Sequence, residues 1–160
     1  MIGTLNEQIE AFWRSAKGKS SQKLREELDE LLAQRPAGDA VVLFERASLH
    51  DYLGEEAQAV EPYRAAIATG LDPEKLDEAR IQLASTLRNL GETGQAVQLL
   101  QLIQTPSHVY RDAQAFLALA LHDAGDHQQA LRVALQTLAP TLSLYGRPVH
   151  DYAKELAGTT

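Results

Sequence analysis

DEARIQLASTLRNLGETGQAVQLLQLIQTP, residues Asp77 to Pro106, reads as two short amphipathic helices hinged at Gly91. Leu83, Leu87, Val97, Leu100 and Ile103 recur at helical spacing and give each helix an apolar stripe. Small residues, Ala84 on the first helix and Ala96 on the second, stand where the two have to touch. A hairpin this short cannot bury its own apolar face, so the stretch predicts a repeat unit with stacked neighbours.

The same pattern recurs on either side. Gly18, Gly54, Gly91 and Gly125 fall 36, 37 and 34 residues apart, each closing one apolar periodic segment and preceding another. Val41, Leu43, Phe44, Ala47 and His50 precede Gly54, and Ala59, Val60, Tyr63, Ala66 and Ile67 follow it. Leu117, Ala118 and Leu121 precede Gly125; Ala130, Leu131, Ala134 and Leu138 follow. Breakers separate the hairpins at Arg35–Asp39, Gly70–Pro73, Thr105–Ser107 and Ala139–Pro140. Pro62 lies inside a helical segment and predicts a kink, because it lacks a donor and crowds the preceding turn.

The resulting expectation is one all-α domain over residues 1–160, a right-handed stack of antiparallel helix pairs. Its parts are a divergent N-terminal pair (1–36), repeats at 39–73, 77–106 and 111–140, and a C-terminal capping helix within 141–160. The end pair has Leu5, Ile9, Phe12, Trp13 and Ala16 on one face, with Leu24, Leu28, Leu31 and Leu32 facing them. In the cap, Val149, Tyr152, Ala153 and Leu156 share a side.

A chain of 160 residues can bury roughly two-thirds of its unfolded surface without staples. Its lack of cysteine excludes a disulfide scaffold, a thiolate zinc site and a cysteine nucleophile, and suits a reducing compartment. No stretch approaches the roughly 20 apolar residues of a membrane helix, and the N-terminus has no basic leader pattern, so a cytoplasmic protein with no membrane partner is expected. The net charge of −7 is concentrated: residues 39–78 hold three basic and ten acidic groups, whereas 1–38 and 79–160 each hold six of both. Such a surface repels a phosphate backbone, which argues against a nucleic-acid partner.

In combination these residues resemble the tetratricopeptide repeat, a helix–turn–helix unit of about 34 residues. Aligned on the turn glycines, the family's small residue of the first helix falls on Ala47, Ala84 and Ala118, and that of the second on Ala59, Ala96 and Ala130. The large residue four further on falls on Tyr63, Leu100 and a smaller Ala134. The early aromatic is replaced by Leu43, Arg80 and Gln114, and the late proline is shifted, to Pro73, Pro106 and Pro140. The whole chain is also similar to a group of small, uncharacterised bacterial repeat proteins, some of which are thought to dimerise.

The resemblance implies a concave groove lined by first helices, and a protein or peptide partner within it. The positions it picks out are Phe44, Ser48 and Tyr52, then Ile81, Ser85, Arg88 and Asn89, then Leu119 and His122. Arg88 and Asn89 are the leading contacts, a planar donor beside an amide, although Arg88 could instead pair with Asp51 or Asp123 of a neighbouring unit. The clamp by which some relatives hold a C-terminal carboxylate corresponds here to Phe44, Ser48, Gln82, Asp112 and Phe116, none of which carries its chemistry.

Nothing in the sequence assembles a catalytic set, a cofactor loop or a metal site. The glycines are isolated turns, and no serine sits in a nucleophile motif. His122, Asp123, Asp126 and His127 crowd one turn, but the histidines straddle a glycine instead of sharing a helical face, and Asp126 reads as an N-cap. Finally, Ala115–Leu121 is apolar all round, so something must cover a second face of that helix. The candidates are the cap at Pro148–Ala157 and a second copy of the chain, a homodimer.

Overall fold

The computed structural model describes residues 4–156, and every regular element among them is helical. They form two compact units, divided between Gly70 and Leu71.

The first unit contains α1 (Leu5–Ser15), α2 (Ser21–Leu32), α3 (Ala40–Tyr52) and α4 (Glu56–Thr69), each packed on the next. Local chemistry sets the starts. Thr4 accepts from the Glu7 N–H while Glu7 reaches back to the Thr4 N–H at 2.7 Å, a reciprocal capping box. Ser20 caps α2, and Asp39 caps α3 by accepting from the Val41 and Val42 N–H groups. Burial disfavours the Asp39 anion, but the Arg35 guanidinium and those two N–H groups outweigh it and hold its carboxyl below the ordinary range. Ile9, Phe12, Leu24, Leu28, Leu32, Val42 and Leu49 make one core; each fully buried leucine contributes about 1.5–3 kcal/mol. Ala47 and Ala59, at the expected α3–α4 contact positions, are completely buried. Pro62 does not end α4, which runs on to Thr69 and buries Tyr63 and Ala66 beyond it.

The second unit contains α5 (Pro73–Asn89), α6 (Thr93–Gln101), α7 (Tyr110–Asp123), α8 (His127–Leu138), a short 3-10 turn (Ala139–Thr141) and α9 (Gly146–Glu155). Here α5 begins four residues before the expected Asp77, with Asp72 as N-cap and Pro73 in the first turn, where a proline costs no hydrogen bond. The α5–α6 and α7–α8 turns are built alike. Gly91 has φ +85° and Gly125 φ +88°, the left-handed region open to glycine. The Glu92 N–H then reaches Leu87 O at 2.8 Å and the Asp126 N–H reaches Leu121 O at 2.9 Å, closing the same motif on the carbonyls of the preceding helix. Ala84 and Ala96 are fully buried, and Ala130 nearly so, while Ala118 is half-buried.

The cover on α7 differs from the one expected. Within this unit α9 packs on α8 and the 3-10 turn, not on α7. The preceding hairpin covers α7 instead: α5 and α6 meet one side and α8 the other, burying Ala113, Leu117, Ala120 and Leu121. A helix between two neighbours in a stack needs an apolar surface on both, which accounts for Leu117, Ala118, Ala120 and Leu121, while Ala115 and Leu119 of the run stay exposed. Of the cap's expected apolar side, Ala153 is buried and Tyr152 exposed; Ala157 lies outside the described residues.

Candidate functional site

In the first unit the helix phase that sets the α3 core also sets what its remaining face presents. Phe44 is buried, its ring 5.8 Å from that of Tyr63 on α4, so it backs the surface and does not line it. The Ser48 hydroxyl is committed twice: it donates to Phe44 O at 3.0 Å and accepts from the Tyr63 hydroxyl at 3.3 Å. Burial pushes the Tyr63 phenol far up; the Ser48 bond opposes this, and the Asp51 and Glu45 carboxyls add to it. Tyr52 is 50% exposed and the accessible member of the three.

Trp13 of α1 stands beside it. The two rings are 5.7 Å apart at 59°, and the indole N–H donates to Glu45 Oε2 at 2.7 Å. Glu45 is only 2% exposed, so this bond fixes the indole on the face of α3 next to Tyr52. Sequence reasoning placed Trp13 with the core and passed over Glu45. A carboxylate directly after Phe44, on the α3 face that continues to Leu49, was the available signal.

His50 serves the adjoining turn. Its Nδ1 lies 2.8 Å from Glu55, whose two oxygens also accept from Arg25 of α2 at 2.6 Å. Arg25 first and His50 second hold the Glu55 carboxyl below its ordinary value.

The second unit brings its predicted residues onto α5 and α7, which lie side by side. Ile81 is buried and Ser85 half-buried, whereas Asn89 is exposed; across from them Leu119 is 47% exposed and the His122 side chain 67%. Arg88 spans the two helices, its Nε 2.6 Å from Asp123 Oδ2 but off the N–H axis, which makes the contact an ion pair and not an aligned hydrogen bond. The reading in which Arg88 pairs with Asp123 is therefore the one the structure adopts. Asp123 also faces His122 Nδ1 at 3.2 Å; His122 first, then Arg88, holds the carboxyl low despite partial burial. The His122 and His127 rings sit 4.7 Å apart, and Asp126 caps α8 by accepting from the Gln129 N–H. Among the described residues no three His, Asp or Glu side chains converge as metal ligands.

The accessible set is thus Tyr52 beside the half-buried Trp13 in one unit, and an amide, a leucine and an imidazole around an Arg–Asp tie in the other. Such surfaces offer apolar anchors with polar neighbours and suit recognition of a chain segment.

Comparison with known proteins agrees with this architecture. The family model described as Tetratrico peptide repeat matches residues 40–156. Among solved structures, the chain is similar to nearly identical TPR-like repeats assigned to a kinesin light chain of Podosopora anserina, with a TM-score of 0.70 and 20% identity. That match covers 99% of this chain and 90% of the other and shows the fold, an α-solenoid of helix pairs. Among curated proteins none matches.

Proposed function

Because the chain belongs to the tetratricopeptide repeat family, whose fold generally mediates protein–protein interaction, we propose that it is a noncatalytic adaptor binding a peptide segment or helix on its first-helix surface. The observation that carries this is the α5–α7 face, where Asn89, Leu119 and His122 stay accessible beside the Arg88–Asp123 pair. Leu119 is the apolar anchor, and Asn89 and His122 supply directional bonds. No helix of the described residues is long and apolar enough to cross a membrane. The similarity to small bacterial repeat proteins suggests a bacterial cytoplasm for the adaptor, and its acidic balance disfavours nucleic acid.

The test is selection of binders from a displayed random-peptide library, followed by affinity measurements on variants. Leu119→Asp is the cleanest variant, because it changes an exposed side chain, whereas replacing Arg88 also unties α5 from α7. Selected peptides should bind Leu119→Asp at least about tenfold more weakly, the scale of losing one buried anchor. Equal affinity for both proteins would remove the α5–α7 face from the site.

A second reading, self-association, is favoured by apolar side chains at the end of the chain: Leu144 is 79% exposed and Tyr145 69%, with Leu142 and Tyr152 nearby in sequence and also exposed. In that reading a symmetry mate covers them. Light scattering across concentration separates the two, since a strict monomer that still binds peptide excludes the homodimer.

A further inference from the structure

We infer that the cleft between the start of α7, the end of α8 and α9 is a binding site for a small carboxylate. It encloses about 380 Å³, within the size range of small-molecule sites. Tyr110, Arg111 and Gln114 line it from α7, Gln136 from α8 and His150 from α9. No aspartate or glutamate lines it, in a chain where acidic residues outnumber basic ones 22 to 15.

The donors in the cleft are unspent. Tyr110, Arg111, Gln114 and Gln136 make no side-chain hydrogen bond or ion pair with the other described residues, although all but Arg111 are partly buried. Their polar atoms are accessible from the cleft they line, so an incoming ligand can take them as donors. His150 directs Nδ1 to Asp151 at 3.4 Å, which leaves Nε2 available. Thr137 differs: its hydroxyl already donates to Val133 O at 2.8 Å.

The donor types select the ligand. A guanidinium fork matches a carboxylate through two parallel N–H bonds, and two amides and a phenol can complete its shell. One arginine beside amide and phenol donors suits a monoanion, whereas a phosphate dianion calls for more positive charge. Val133 and Pro140 add an apolar wall, so the favoured ligand is a carboxylate on a short apolar body. This site shares no residue with the α5–α7 face and stands apart from the adaptor reading.

The test is titration of the full chain with benzoate, benzamide and inorganic phosphate, followed by NMR. Benzoate should give saturable shifts at the side-chain N–H signals of Arg111, Gln114 and Gln136. Arg111→Gln should weaken benzoate about tenfold or more with an unchanged melting temperature, and Arg111→Lys should fall between it and the native chain. Benzamide binding as tightly as benzoate, phosphate binding more tightly, or an Arg111→Gln variant with native benzoate affinity would each overturn the assignment.

Discussion

Trp13 shows what one side chain does here. Its indole bond to Glu45 joins residues 32 apart and gives a buried carboxyl oxygen a donor. Trp13→Phe keeps an aromatic ring but removes the bond and part of the packed surface, which should cost about 1–3 kcal/mol in chemical denaturation. No periodicity links such distant residues, so the pair was illegible in the sequence; the Arg88–Asp123 pair was legible because repeat register brings those positions together. The depressed carboxyls add a pH dependence. Glu55, held below its ordinary 4.5 by Arg25 and His50, stabilises the fold above its unfolded value, and that contribution disappears as pH falls through the folded one. The melting temperature should therefore drop between pH 5 and pH 3, and in Glu55→Gln the drop should be smaller, from a lower starting point. An unchanged pH profile in the variant would show that Glu55 is not one of the groups responsible.

At the scale of elements, the small contact residues and the turn glycines carry the fold. Ala84 is fully buried on α5, in the helix pair it forms with α6, so Ala84→Phe should cost about 1–3 kcal/mol by overpacking. Gly146 opens α9 with its Cα against the Ala139 carbonyl, where an added Cβ would collide with backbone. Gly146→Ala should accordingly loosen α9 while leaving α5–α8 folded, visible as faster amide exchange confined to α9. Helix periodicity was readable throughout because buried stripes leave a 3.6-residue mark. Two features escaped it. Asp72-Pro73 matches a breaker pattern, yet it is the cap and first turn of α5, since the same residues serve both purposes. The apolar run of α7 showed that two faces were buried but not by which element, and the preceding hairpin took the place expected of α9.

For the whole molecule, the sequence pattern reaches the family and stops short of the partner. Burial constrains Ala84, Leu87 and Leu100 tightly, whereas the exposed Asn89, Leu119 and His122 obey no packing rule, so their spacing says where a segment could lie and not what it is. Of the nine expected positions, Phe44 and Ile81 are buried, Ser48 is bonded within its own helix pair, and the Tyr52 ring lies beside that of Trp13. The central claim is that a chain segment binds the first-helix surface. It is tested most directly by mapping amide chemical-shift changes along the native chain when a selected peptide is added. The account predicts changes concentrated at 85–89 and 119–123; changes concentrated at 142–152, or none on α5 and α7, would contradict it.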